Sequence, residues 1–217
     1  MLFGGKRMSE GHAATMTAPT WRGGGSPVAV GHKKLGMWLF IVSDSLTFSA
    51  LLLTYSYVRV ANDWPTPFHF FPSIVFSTIM TLVLLTSSLT MVYAVSAAHH
   101  GARRKAVKWI WATAFFGTAF VVLHGYEWMH LMVDEGMYPW ANEYGTPLFG
   151  GTFFLITGLH MFHVITGVAY LGIVALGYRR GKWLPEDVEV AGLYWHFVDL
   201  VWMFVFPLIY LLSTSVD

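Results

Sequence analysis

Seven side chains in this sequence could do chemistry, and all of them lie inside apolar stretches: Asp44, His124, Glu127, His160, His163, His196 and Asp199. Carboxyl and imidazole groups carry protons, and they ligate metals or haem. A charge at membrane depth costs on the order of a few kcal/mol or more, so such residues face protein or water and serve a purpose. Their spacing groups them. At about 100° per residue, His196 and Asp199 in GLYWHFVDLVW lie one turn apart. The same holds for His160 and His163 in ITGLHMFHVITG, and HGYEWMHLM sets His124, Glu127 and His130 along one arc. Burial favours the neutral form of both group types, so an acid–His pair can share one hydrogen bond, whereas an ionised pair can relay protons. The residues by themselves leave both states open.

Membrane-crossing helices must position these groups. The chain is 55% hydrophobic and only 12% charged, where a soluble domain is about a quarter charged. Apolar stretches occur at 36–58, 74–98, 106–132, 150–178 and 188–213. Each exceeds the ~20 residues that a helix needs to cross hydrocarbon. Strong helix formers without strict alternation exclude barrel strands. The expected fold is an all-α membrane protein, a five-transmembrane-helix bundle over 36–214. Residues 1–35, rich in Gly, Ala, Ser and Thr, read as a disordered arm.

The net charge of +1 names no partner, but the placement of the 13 Lys and Arg residues is informative. They fall on the arm (Lys6, Arg7, Arg22, Lys33, Lys34), on Arg103-Arg104-Lys105 with Lys108, and on Arg179-Arg180-Lys182, with Arg59 apart. The alternate loops are acidic, carrying Asp63, Asp134, Glu135 and Glu143. By the positive-inside rule the N-terminus is cytoplasmic and the C-terminus periplasmic. The chain has no cysteine, which excludes disulfides and thiolate ligands, and its first thirty residues lack the apolar core of a cleaved signal.

With that orientation, helix rise places Asp44 at about 13 Å from the cytoplasmic face, His163 at ~10 Å, His196 at ~12 Å and Asp199 at ~16 Å. These four occupy one band of depth; His160 is nearer the midplane, and Glu127 lies ~8 Å from the outer face. The second stretch has no ionisable residue and reads as scaffold. The aromatic loop 61–73 reads as an interfacial belt, with His69 on the surface. The acidic, aromatic loop 133–149, with Tyr138, Trp140 and Tyr144, suits membrane anchoring or the docking of a basic partner. Pro207 should kink the last helix.

Several functions could use such a band. Glu127-x-x-His130 is half of a di-iron motif, which fails here for want of carboxylates. A small membrane cytochrome would bind haem b through His124 with His160, or His163 with His196. A transporter would need repeats or broken helices that the sequence lacks. An accessory subunit would use the acid and His groups to fix packing, hold lipid or support proton movement in a partner.

LGMWLFIVSD, HGYEWMHLM, ITGLHMFHVITG and GLYWHFVDLVW, in this order and at these separations, closely resemble subunit III of haem–copper terminal oxidases. The resemblance covers roughly 32–214 and matches the short, five-helix form that lacks the first two helices of longer members. It implies a non-redox part of an oxidoreductase, with no catalytic centre, metal or cofactor in this chain; haem and copper belong to partner subunits. It implies direct packing on subunit I, with subunit II and other respiratory-chain subunits as partners and no nucleic acid. It also implies a bacterial inner membrane, bound phospholipid, and support of proton uptake while oxygen is reduced to water. Asp44 matches a family carboxylate that reacts with carbodiimide and pairs with a His of the fourth helix, here His163. Glu127 matches another recurrent family acid. Many cytochrome c oxidase members carry Glu at the Asp44 position, and Asp is similar to the quinol-oxidase form. Cytochrome c is the expected donor, with a quinol oxidase or a nitric oxide reductase accessory subunit as alternatives.

Overall fold

The computed structural model describes residues 31–68, 73–141 and 146–214. Most of the expected arm, together with His69, Glu143 and Tyr144, lies outside them. Five helices follow one another: α1 (His32–Ala61), α2 (Val75–His99), α3 (Arg103–Val133), α4 (Pro147–Arg179) and α5 (Pro185–Val205). A π-helical turn, Phe206–Tyr210, and a 3-10 turn, Leu211–Ser213, extend α5. All five helices are long and apolar enough to cross a membrane. Most run beyond the apolar stretches, because hydropathy marks the hydrocarbon layer while helices continue into its polar borders. Pro147 and Pro185 open α4 and α5 in the first turn, where a missing N–H costs nothing. Residues 32–35, assigned to the arm from composition, are helical and begin α1.

The turns at the basic end are short. Gly101 and Gly181 adopt φ of 70° and 73°, a left-handed conformation that glycine takes without steric cost. The next residues close the helix ends, Ala102 N–H donating to Ala97 C=O at 2.9 Å and Lys182 N–H to Gly177 C=O at 3.1 Å. Arg103 joins the two turns, its guanidinium lying 5.5 Å from the ring centre of Tyr178.

Helices α2 to α5 form the core, and α1 packs outside them against α5 and α4. Two tryptophans of α5 lock that core. Trp195, 1% exposed, is seated where α3 and α4 present glycines. A Cβ on Gly167 would stand 3.0 Å from the rings of both Trp195 and Tyr194. The Trp195 indole donates to Ser87 Oγ at 2.9 Å, and that of Trp202 to Thr81 Oγ1 at 3.0 Å. Thus α2 is more than inert scaffold: its hydroxyls accept the indole N–H groups that would otherwise be buried without partners.

The last helix does not bend as one α-helical rod. Pro207 has no N–H to offer the carbonyl four residues back, and the chain widens into the π-helical turn Phe206–Tyr210 instead. The kink expected at Pro207 is therefore a change of helix type, and it buries Tyr210 completely. The described rings of the aromatic loop have partners within the protein. Trp64 packs edge-on against Tyr55 and Phe149. Phe68, 2% exposed, stacks on Tyr210 at 5.1 Å, and its N–H reaches Ser213 C=O at 3.4 Å. Trp64 and Phe68 thus pack against protein rings, while Phe70 and Phe71, the other rings of the expected interfacial belt, lie outside the described residues. Tyr138 and Trp140 of the next loop stack on each other at 5.7 Å, with Trp140 exposed.

Candidate functional site

The chemistry-bearing side chains fall into three clusters around α5. In the first, α1 brings Asp44 and α4 brings His163 together, Asp44 Oδ2 lying 3.4 Å from His163 Nε2. Both side chains are nearly enclosed, at 14% and 11% exposed. His163 Nδ1 lies 2.8 Å from Leu159 C=O; a carbonyl can only accept, so Nδ1 carries a hydrogen. That fixes Nε2 as the atom facing the carboxyl group. Asp44 Oδ2 is buried and forms no well-angled hydrogen bond, so the contact sits at the edge of bonding range. Phe48 closes over His163 edge-on at 5.5 Å, and Tyr194 of α5 donates to His163 C=O at 3.0 Å.

The second cluster lies on a different side of α5. His196 Nδ1 is 2.6 Å from Ser88 Oγ of α2, and Asp199 follows one turn further along α5. Asp199 is 8% exposed, with Oδ1 buried and unpartnered. The single band read from depth is thus divided. His196 and Asp199 are expected at the depth of Asp44 and His163, but helix rotation turns His196 to Ser88 of α2, while Tyr194 faces α4. Depth is a one-dimensional coordinate, and azimuth around the helix separates groups that it merges.

The third cluster surrounds Glu127 of α3. Glu127 Oε2 accepts from Tyr210 at 2.7 Å, Oε1 lies 2.6 Å from Ser77 Oγ, and His124 Nδ1 stands 3.7 Å from Oε2. Three helical segments are joined at one carboxyl group. His124 and His160 are wholly buried between Phe120, Trp128 and Trp202. His160 lies against the Trp202 ring at 4.9 Å and does not face Asp44. His130 leaves the arc: its side chain is 47% exposed and lies 3.7 Å from Asp134. Sequence reasoning missed Ser77, Ser88, Tyr194 and Tyr210. For the first two a signal existed, since Ser77, Thr81 and Ser88 share one helical face.

Comparison with known proteins agrees with this architecture. The family model for cytochrome c oxidase subunit III matches residues 14–214. Cytochrome c oxidase subunit 3 of Alkalihalophilus pseudofirmus is 36% identical over 189 residues, covering 85% of this chain and 88% of the relative. The protein of the same name from Bacillus subtilis is 33% identical over 191 residues, with 84% and 87% covered. Cytochrome bo(3) ubiquinol oxidase subunit 3 of Pseudomonas putida is 30% identical over 182 residues, with 82% and 85% covered. The family match spans all five helices, and this chain belongs to the cytochrome c oxidase subunit III family.

Proposed function

We propose that this haem–copper oxidase subunit III serves a cytochrome c oxidase of the inner membrane of a bacterium. It packs directly on subunit I, with subunit II in the same complex, and supports proton uptake, stability and lipid retention while those subunits reduce oxygen to water. Haem and copper belong to the partners. The observation that carries this reading is the Asp44–His163 approach at 3.4 Å. It is a proton-sharing pair held between the peripheral helix and the core, well enclosed yet close to the bundle surface. The basic turns at 103–108 and 179–182 support a cytoplasmic N-terminus. A groove of about 440 Å³ between α1 and α5, lined by Phe48, Ser49, Leu52, Phe197, Val201 and Phe204, suits an acyl chain.

A second reading, a quinol oxidase, is favoured by Asp44 standing where many cytochrome c oxidases have Glu, and by the relative from Pseudomonas putida. One experiment serves both. The tagged chain, captured from membranes in mild detergent, should bring down a haem-bearing large subunit that reduces oxygen. The reductant that sustains turnover, cytochrome c or quinol, separates the readings. Asp44→Asn should lower turnover several-fold at unchanged haem content. A chain that purifies alone, or a deletion that leaves oxygen reduction intact, would defeat the proposal.

A further inference from the structure

At the end of the bundle opposite the basic turns, a pocket of about 220 Å³ opens between α2 and α3. Ser73 and Phe76 line it at the start of α2, Tyr126, Glu127 and His130 line it from α3, and Phe68 closes it from the preceding loop. The pocket is several times the ~30 Å³ that one water occupies, and Ser73, Glu127 and His130 give water polar partners there. His130, with a side chain 47% exposed and 3.7 Å from Asp134, marks its outward side.

Ser77 stands between Glu127 and the backbone of α2. Its Oγ lies 2.6 Å from Glu127 Oε1 and 3.1 Å from Ser73 C=O. A hydroxyl group carries one hydrogen, so Ser77 donates to one of these oxygens at a time. Two arrangements then satisfy the cluster. With Glu127 ionised, Ser77 donates to Oε1 and Tyr210 donates to Oε2 at 2.7 Å. With Glu127 protonated on Oε1, the new O–H donates to Ser77 Oγ, the Ser77 hydrogen turns to Ser73 C=O, and the Tyr210 bond is unchanged. A hydronium ion in the pocket gives its proton to Oε1 and leaves as water; release reverses the step. The heavy atoms keep their places in both arrangements, and one hydroxyl hydrogen turns.

We propose that Glu127 is a proton-exchange site reached through the pocket between α2 and α3, with Ser77 as the hydroxyl that accommodates both of its protonation states. The titratable groups around it are His124 of α3, with Nδ1 3.7 Å from Oε2, Tyr210 of the π-helical turn, and His130 on the pocket wall. From α2 it meets the Ser77 hydroxyl, and α4 contributes His160, packed with His124 against Phe120 and Trp202. The site goes beyond the oxidase reading and does not depend on which subunits accompany the chain.

The test takes the chain from membranes with whatever subunits accompany it, its glutamates isotopically labelled, and follows the protonated-carboxyl absorption in the infrared. One labelled component should fade as pH rises and be missing from Glu127→Gln. In Ser77→Ala, which leaves the carboxyl group in place, that component should move to higher frequency, because the acid loses the oxygen to which it donates. Ser77→Thr, which keeps the hydroxyl, should leave the frequency nearly unchanged. The serine variants decide the matter even if Glu127→Gln fails to assemble. Ser73→Phe puts a ring in the pocket and should slow loading of the component after a rapid drop in pH by about tenfold or more, since it takes the room that water needs. A component of constant intensity across the pH range would make Glu127 a fixed fastening for Tyr210 and overturn the site. A titrating component that survives in Glu127→Gln, or keeps its frequency in Ser77→Ala, would place the proton elsewhere and overturn it as well. Unslowed loading in Ser73→Phe would overturn the route through the pocket.

Discussion

At Gly117 an added methyl group would collide with the indole of Trp195 and lie 2.9 Å from Val168 Cγ2. The indole cannot yield freely, because it is fixed by its bond to Ser87 and by Gly167 on its other side. Gly117→Ala should therefore cost about 1–3 kcal/mol, the usual price of overpacking. Gly36→Ala meets nothing within 4 Å and should gain up to about 1 kcal/mol from helix propensity. Thermal unfolding of both variants in one detergent checks the contrast; equal midpoints would mean that Trp195 has room to move. Residue types also limited what could be read at this scale. Trp195 and Trp202 on one third of a helix were visible in the sequence, whereas the hydroxyls that receive their N–H groups were not. A Ser or Thr in a membrane helix can always bond back to its own backbone, as Thr78 does to Ile74 C=O at 2.7 Å.

Among the helices, α1 is the least embedded, burying only Phe48 and Tyr55. Polar contacts at three levels hold it. Lys33 and Lys34 meet Asp187 and Glu189 of α5 at 2.5 Å each, Asp44 meets His163 at 3.4 Å, and Tyr55 bonds Ser213 at 3.1 Å near the contact of Arg59 with Leu212 C=O. Asp187 also receives the N–H of Leu184 at 2.8 Å, so one carboxylate both caps α5 and anchors α1. The two lysine pairs are partly exposed and should each contribute no more than about 1 kcal/mol, less in salt. Charge reversal at both, Lys33→Glu with Lys34→Glu, should lower the unfolding midpoint at low ionic strength. The difference from the unaltered protein should shrink in high salt. A deficit independent of salt would mean that the lysines act through packing.

For the whole molecule, aromatic packing fills the space beside two of its buried histidines. His124 and His160 come from facing helices, as bis-histidine haem ligands do, yet Trp202 and Phe120 pack against both rings. A porphyrin would have to displace the side chain that locks α5 to the core. The purified chain, freed of its partners, is expected to show no Soret absorption. A band that disappears in His160→Ala would return haem ligation to consideration.

Hydropathy, charge placement and motif order were enough to give five crossing helices, their expected orientation and the family, because those features are written along the chain in one dimension. The approach of Asp44 to His163 was also within reach, since both lie at similar depth and the resemblance paired them. Only the tertiary structure decided how the polar groups divide around α5. A turn of about 100° per residue sends Tyr194, Trp195 and His196 to three different neighbours, and the identity of those neighbours depends on how the helices pack. It also decided the path of the last helix: Pro207 marked a disturbance, but its outcome, a π-helical turn that carries Tyr210 onto Glu127, required the aromatic wall that Phe68 and Phe153 complete.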